Sequence, residues 1–96
     1  MISTPTSRVS LDHQIFSSLA ESQVVRNQQQ FSRLLGRSPS YFSAMQSKQM
    51  PISVSSLVKL ALELRKRAAY DSNTQRSALL NSLCDTIYSE ICDRSL

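Results

Sequence analysis

Glycine is nearly absent from this 96-residue sequence: Gly36 is the only one, and tryptophan is missing altogether. No apolar run approaches the roughly 18 residues of a membrane-spanning helix, and the N-terminus lacks the apolar block of a secretory signal. We therefore expect a cytoplasmic protein with no membrane partner. The sequence also lacks metal-ligand spacings, a glycine-rich phosphate loop and a nucleophile motif, and His13 is its only histidine. These absences predict no metal, no cofactor and no enzymatic activity.

Cysteine is too scarce for a disulfide framework, because Cys84 and Cys92 are the only two. Their spacing of eight positions separates them on a helix by about 12 Å, at ~1.5 Å per residue. That distance excludes a bridge within one helix. Two interpretations stay open: a pair of buried, reduced thiols, or a bond between subunits.

Charge is distributed unevenly along the chain. The net charge is +4, but residues 28–70 carry seven basic side chains against one acidic one, a net charge of +6. Residues 1–27 are neutral overall, and residues 71–96 carry a net charge of −2. The central segment is therefore where we expect a polyanion to bind. The alternative is a solvated basic surface without a partner.

The length and the apolar fraction of 41% predict one small domain with a helical core. Residues 1–9 are rich in serine, threonine and proline without a period, and we expect them to form a flexible arm. Apolar residues then recur at helical spacing in a first helix that is capped by Ser10. The sequence shows no strand-type alternation and no hairpin turn, so the predicted fold class is all-α with five helices.

The only glycine lies between two helix-start signals. Asn27 followed by Gln30 forms a capping box, which predicts the start of helix 2. Gly36 ends this helix, and we expect a positive φ there, because glycine reaches that conformation without steric cost. Ser38 as N-cap, with Pro39 at the first helical position, predicts the start of helix 3. A helix, a glycine turn and a second helix form the layout of a helix-turn-helix, whose second helix enters the DNA major groove.

Two further helices follow. Ser53 is the expected N-cap of helix 4. The basic residues 65–67 suit the C-terminal end of this helix, where the helix dipole is negative. Ser72 with Gln75 predicts the start of helix 5, which should run to about Asp93. The apolar stripe of helix 5 recurs every three or four residues and consists of Leu79, Leu80, Leu83, Cys84, Ile87, Tyr88, Ile91 and Cys92.

The residues around the glycine turn belong to a longer pattern. It consists of Gln28, Phe31, Ser32, Leu35, Gly36, Ser38, Tyr41, Phe42, Ser43, Met45 and the segments 51–53 and 57–64. This pattern resembles the DNA-binding domain of the lambda repressor/Cro-like (XRE-type) helix-turn-helix family. The resemblance implies a helix-turn-helix domain at residues 10–68, with a C-terminal amphipathic helix at 72–94 outside it. Two features depart from the family: Arg37 replaces an aliphatic residue, and residues 46–48 replace an acidic-basic-glycine run.

The resemblance also implies which residues contact DNA. Base reading is implied for the exposed face of helix 3, which consists of Pro39, Ser40, Ser43, Ala44 and Ser47. The residues implied for positioning phosphates are Gln28, Arg37, Ser38, Tyr41, Lys48 and Ser53. Because the base-reading side chains are small and none is Arg, Asn or Gln, direct readout should be modest. The alternative for each residue is a solvated or packed side chain without a ligand.

The stripe of helix 5 has two possible partners. It can pack on helices 1 and 4 of the same chain, or it can form a dimer seam with a second copy. Dimerisation is favoured, because one helix-turn-helix makes a small DNA interface and two-fold pairing on two half-sites is the usual remedy. The residues assigned to this seam are Leu80, Leu83, Cys84, Ile87, Tyr88 and Ile91.

The expected function is a sequence-specific DNA-binding transcriptional regulator, in the form of a homodimeric repressor that binds double-stranded DNA. An alternative from another class is a protein-interaction module on the same scaffold, which binds another regulatory protein as an antiactivator, antitoxin or phage-type inhibitor. A third is a sequence-tolerant nucleoid-type binder. The charge of residues 28–70 favours DNA, whereas Arg37 and the small side chains of helix 3 favour a protein partner.

Overall fold

This computed structural model describes residues 8–95, which form five α-helices and the segments that connect them. The helices are α1 (Arg8–Glu21), α2 (Gln28–Leu34), α3 (Tyr41–Ser47), α4 (Val54–Tyr70) and α5 (Thr74–Ser95). No strand occurs within these residues, so the predicted all-α class with five helices is confirmed. No helix in this part of the chain is long and apolar enough to cross a membrane.

The first helix begins earlier than predicted. Of the expected arm, residues 1–9, the first seven lie outside the described residues, and Arg8 is already helical. Ser10 is therefore inside α1 and is not its N-cap. Apolar periodicity marks the packed part of a helix, and it locates the terminal turn poorly.

The predicted caps of α2 and α4 are confirmed. The side-chain oxygen of Asn27 accepts a hydrogen bond from the Gln30 amide at 2.9 Å. The Gln30 side chain in turn accepts the amide of Arg26 at 2.8 Å, one residue before the N-cap. At the start of α4, Ser53 Oγ accepts the amide of Ser56 at 3.4 Å. Local side chains thus satisfy amides that a helix start leaves unpaired.

Helix α3 starts two residues later than predicted. The carbonyl of Ser38 accepts the Tyr41 amide at 3.0 Å, so Pro39 and Ser40 form a turn and Tyr41 is the first helical residue. Ser40 occupies the N-cap position, but its hydroxyl makes no capping bond. A local cap is not needed, because the amide of Phe42 has an acceptor on α2.

Ser32 is that acceptor and joins α2 to α3. Its hydroxyl donates to the Gln28 carbonyl at 3.0 Å and accepts the Phe42 amide at 2.9 Å. Ser32 is fully buried, so water cannot take its place. One small hydroxyl therefore fixes the distance between two helices.

Helix α5 is capped by Asn73 and not by Ser72. The side-chain oxygen of Asn73 accepts the Arg76 amide at 3.0 Å. Asp71 accepts the Asn73 amide at 2.9 Å and holds the Arg76 guanidinium through Nε at 2.5 Å and Nη2 at 3.1 Å. This local network moves the start of α5 past Ser72 to Thr74.

Side chains from the helices and their connections fill one core. Phe31 and Phe42 meet edge to face, with ring centres 4.8 Å apart and an interplanar angle of 87°. Phe16 contacts both rings, at 5.4 and 5.2 Å. The large aliphatic side chains buried around them are Ile15, Leu19, Val25, Leu35, Ile52, Leu57, Leu60, Leu64, Leu80 and Ile87. Truncation of one such aromatic ring to alanine costs about 3–5 kcal/mol in other proteins.

The stripe of α5 packs inside its own chain. Its buried members are Leu80, Leu83, Cys84 and Ile87. Cys84 donates to the carbonyl of Ala61 on α4 at 3.3 Å, and Ile91 also packs on the core. Of the six predicted seam residues, the four buried ones are therefore corrected to intrachain packing, because their own chain covers them, whereas Ile91 is only partly buried. Tyr88 alone stays 36% exposed.

The two cysteines have different environments. Both are free; Cys84 is buried, whereas Cys92 is exposed, so the interpretation of two buried thiols is wrong for Cys92. Burial raises the pKa of the Cys84 thiol. Among the described residues, no group of three or more His, Cys, Asp or Glu side chains is placed to hold a metal ion.

A buried polar cluster ties the segment before α4 to α1 and α5. Asp12 Oδ2 accepts the Ile52 amide at 2.8 Å, and Arg94 donates Nη1 to the Ile52 carbonyl. Arg94 Nε also donates to Glu90 at 2.7 Å. Asp12 Oδ1 and Arg94 Nη2 are buried without a hydrogen-bond partner in the described part of the chain. Burial raises the pKa of Asp12 to about 6, against the opposing effects of the Ile52 amide and the Arg94 charge.

Ser32→Ala should destabilise the protein by about 1–3 kcal/mol, because the buried amide of Phe42 loses its acceptor. Urea unfolding measures the change. Ser43→Ala is the matched control, since the Ser43 hydroxyl is exposed and only contacts the Ser40 carbonyl at 3.3 Å. Equal stability of the two variants would contradict the role of Ser32.

Asp12→Asn should change how stability depends on pH. Folding raises the pKa of Asp12 from 3.8 to about 6. Between these two pH values the Asp12 carboxyl is therefore protonated in the folded state and ionised in the unfolded state. The wild type should therefore lose stability relative to Asp12→Asn as the pH rises through this window, by at most about 3 kcal/mol at ~1.4 kcal/mol per pKa unit. Urea unfolding across the window measures the difference, and a difference that does not vary with pH would contradict the prediction.

Candidate nucleic-acid interface

Gly36 closes α2 with the positive φ that the sequence predicted. Its φ is +76°, its amide donates to the Arg33 carbonyl at 2.9 Å, and the Arg37 amide donates to the Ser32 carbonyl at 3.1 Å. These two bonds form a Schellman motif. A Cβ at this position would lie 2.5 Å from Cδ of Lys59, whose stem packs over the glycine. Glycine therefore serves both the turn and the close approach of a side chain from α4.

The turn and the Ser32 bridge place the start of α2 beside the start of α3. An open groove of about 580 Å³ lies between them and is lined by Asn27, Gln28, Gln29, Pro39, Ser40 and Ser43. Four of these residues were predicted from the sequence: Gln28, Pro39, Ser40 and Ser43. The structure thus brings a predicted phosphate contact and part of the predicted base-reading face onto one surface.

The other predicted residues of this region do not line the groove. Ser38, Ser47 and Lys48 are exposed, and Ala44 is half-buried. Lys48 follows α3 directly, with its amide donating to the Ala44 carbonyl at 3.1 Å. The Ala44 side chain is therefore only partly open to a ligand, whereas that of Lys48 is exposed to solvent.

The Arg37 side chain makes three hydrogen bonds within the chain. Its Nε donates to Ser56 Oγ at 2.8 Å, and its Nη2 donates to the hydroxyls of Ser53 at 3.1 Å and Ser55 at 3.4 Å. The guanidinium also lies 5.2 Å from the centre of the Tyr41 ring. Arg37 thus joins the glycine turn to the start of α4. Because its hydrogen-bond acceptors are neutral hydroxyls, its positive charge is not neutralised.

Tyr41 joins α3 to the N-cap of α4. Its hydroxyl oxygen accepts the Ser53 amide at 3.2 Å, and its ring is half-buried. Burial acts to raise the pKa of this hydroxyl, but the hydrogen bonds of Ser53 and Ser56 and the charge of Arg37 outweigh it and lower the pKa. Tyr41 therefore already has a structural role at the surface where the resemblance implies a phosphate contact.

Four residues of this region were missed by the site prediction. Asn27 and Gln29 line the groove, although Asn27 was interpreted only as a cap. Arg33 and Lys59 contact Gly36, Arg33 through its carbonyl and Lys59 through its side-chain stem, and both are exposed. The sequence contained signals for these residues. Gln29 belongs to a run of three glutamines at a helix start, and Arg33 and Lys59 belong to the basic segment 28–70.

Three exposed basic side chains of this region, Arg33, Lys48 and Lys59, form no ion pair among residues 8–95. An exposed cation without an intrachain partner keeps its full interaction with an incoming anion. The surface around the Gly36 turn is therefore electrostatically suited to a polyanion.

The geometry defines an all-α protein with a polar groove between two short helices that are joined by a glycine turn. The sequence matches DUF6626, a family of unknown function, over residues 13–95, and the chain belongs to this family. No curated protein and no solved structure matches the chain. The family match spans all the residues that line the groove and the whole of α5.

Tyr41→Phe should weaken the junction between α3 and α4, because the Ser53 amide loses its acceptor. The site is half-buried, so the expected cost is about 1 kcal/mol. Urea unfolding measures the stability, and hydrogen exchange of the Ser53 amide should become faster. Tyr70→Phe is the control, because Tyr70 is 84% exposed, and it should change neither quantity. An unchanged exchange rate in Tyr41→Phe would contradict the role of the hydroxyl.

Proposed function

We propose that this protein is a DNA-binding transcriptional regulator that uses α2, the Gly36 turn and α3 as a helix-turn-helix. The observation that carries the proposal is the Ser32 bridge, which holds Gln28 and the start of α3 on the two sides of one groove. In a helix-turn-helix, the first helix crosses the DNA backbone and the N-terminal residues of the second contact base edges. In this proposal, the groove residues at the start of α2 contact the DNA backbone, and those before and in the first turn of α3 contact base edges.

Charge supports DNA as the partner. Residues 28–70 carry a net charge of +6, whereas residues 71–96 carry −2. Arg33 on α2, Lys48 directly after α3 and Lys59 in the first half of α4 are exposed members of this basic segment. Phosphate contacts by such residues supply much of the affinity of DNA-binding proteins.

The small side chains of α3 favour recognition through phosphates and DNA shape. Ser40 and Ser43 can donate to or accept from several base edges, but neither forms a bidentate pair. Each bidentate pair contributes about 1–3 kcal/mol of discrimination in other complexes. We therefore expect moderate sequence specificity and a steep dependence of affinity on salt.

A homodimeric repressor is the form of regulator that we propose. One helix-turn-helix buries a small area on DNA, and two copies on two half-sites provide the affinity that regulation requires. Such a dimer would act in the cytoplasm by occupying a promoter or its own operator.

A protein-interaction module is the second candidate, and the state of Arg37 favours it. This residue is held by three serine hydroxyls, and α3 carries no Arg or Asn that would read a base pair directly. In this alternative, the groove binds another regulatory protein, as in an antiactivator, an antitoxin or a phage-type inhibitor.

The test is selection of binding sites from duplexes of random sequence about 20 bp long, followed by fluorescence anisotropy with excess competitor DNA. We expect an enriched site whose binding survives the competitor at about 150 mM salt. Ser43→Glu combined with Lys48→Glu should reduce affinity for this site by at least about tenfold, because a carboxylate at each position repels the phosphates.

The matched control is Ser72→Glu combined with Lys66→Glu. It makes the same change in net charge at the cleft between the end of α4 and the start of α5. This control should weaken binding much less than the change on α3. Failure to enrich any site would contradict specific DNA binding, and equal losses in both double variants would contradict the assigned face.

A further inference from the structure

A second cleft lies where the turn after α1 meets the end of α4 and the start of α5. It has a volume of about 620 Å³, and none of its residues lines the groove between α2 and α3. We call it the α4–α5 cleft, and it is lined by Gln23, Val24, Glu63, Lys66, Arg67, Tyr70, Asp71, Ser72, Arg76 and Leu80. Small-molecule sites usually have volumes of about 300–1,000 Å³. The cleft is therefore large enough for a small ligand, and its lining decides which class of ligand it suits.

The acidic residues of the cleft are already paired within the chain. Asp71 accepts the Arg76 guanidinium through Nε at 2.5 Å and Nη2 at 3.1 Å. Glu63 lies 3.6 Å from Nε of Arg67, one turn further along α4. Each carboxylate that lines the cleft thus has a guanidinium as its partner, and these two ion pairs hold the walls before any ligand binds.

Two side chains of α4 are left open to a ligand. Lys66 is exposed and forms no ion pair among residues 8–95. Tyr70 follows Lys66 by four residues, so both lie on one side of the helix, and Tyr70 is 84% exposed. The buried Leu80 and the half-buried Val24 add apolar surface to the same cleft. An unpaired cation and an open aromatic ring suit a ligand that joins an anionic group to a planar ring.

Gln23 lines the cleft from a strained backbone conformation. Its φ is +65°, and its amide donates to the Ala20 carbonyl at 3.1 Å. The Val24 amide donates to the Leu19 carbonyl at 2.9 Å, which completes a Schellman motif at the end of α1. Gly36 holds the same position after α2, because glycine reaches a positive φ without steric cost. Gln23 thus keeps a polar side chain where glycine would be less strained, and strain of this kind at a cavity points to a binding role.

We propose that the α4–α5 cleft binds a nucleoside monophosphate. The base stacks on the ring of Tyr70, and the Gln23 side chain offers its edge both a donor and an acceptor. The Lys66 ammonium pairs with the phosphate. This site is separate from the groove and does not depend on the proposed function. Only its use as an effector site of a regulator rests on that function.

The experiment is titration of the ¹⁵N-labelled full-length protein with AMP, GMP, CMP and UMP in turn, followed through amide NMR shifts without DNA. We expect saturable binding of at least one nucleotide, with the largest shifts at residues 23–24 and 66–72. Lys66→Gln should weaken this binding by at least about tenfold, because a charge-assisted hydrogen bond is lost. Lys48→Gln is the matched control, since it removes the same charge from an exposed lysine outside the cleft.

Gln23→Gly should weaken binding by roughly threefold to tenfold, the value of one hydrogen bond, without a loss of stability. Gln49→Gly is its matched control. Gln49 is the other non-glycine residue with a positive φ in the described part of the chain, at +53°, and it lies outside the cleft. Because glycine relieves strain at both positions, both variants should stay folded, which thermal unfolding checks. Gln49→Gly should bind the nucleotide as the wild type does.

Absence of saturable binding by all four nucleotides would overturn the proposal, as would largest shifts at the groove residues 27–29 and 39–43. Equal affinities within either pair of variant and control would also overturn it. Because the assay contains no DNA, these outcomes are separate from the proposed function. A protein that binds a nucleotide but no DNA site contradicts the regulator alone, and a protein that binds a DNA site but no nucleotide contradicts the cleft alone.

Discussion

The arrangement of the groove depends on one buried hydroxyl. The Ser32 hydroxyl accepts a hydrogen bond from the Phe42 amide, which would otherwise be an unpaired donor in the first turn of α3. The same hydroxyl donates a hydrogen bond to the Gln28 carbonyl of α2. An apolar side chain at this position would leave the buried amide unsatisfied. The edge-to-face contact of Phe31 with Phe42 fixes the same two helices through packing. Together, a polar and an apolar contact determine how Gln28 is placed relative to α3.

The segment between α3 and α4 is held from several sides. Its Ile52 is bound through both its amide and its carbonyl, by Asp12 of α1 and Arg94 of α5. Ser53 is held by the Tyr41 hydroxyl and by Arg37 from the glycine turn. The position of α4 relative to the groove is therefore set by polar contacts from four parts of the chain. Such pre-organisation reduces the entropy that a binding surface loses when its ligand arrives.

Helix α4 carries basic and apolar side chains next to one another on its exposed side. The stem of Lys59 covers Gly36 and keeps positive charge next to the glycine turn. Val58 and Leu62 are exposed on the same helix. Because Lys59 and Lys66 lie three and four residues from Leu62, they are on the same side of α4 as this apolar side chain.

The sequence by itself determined the class of the fold and the features that depend on neighbouring residues. The caps Asn27 and Ser53 and the positive φ of Gly36 were predictable, because each is decided by groups within a few positions along the chain. The tertiary structure decided the rest. It set the start of α3, since the acceptor for its second amide comes from Ser32, ten residues away in sequence. It also decided which way the stripe of α5 faces, because an apolar stripe has the same spacing whether it covers its own core or a partner.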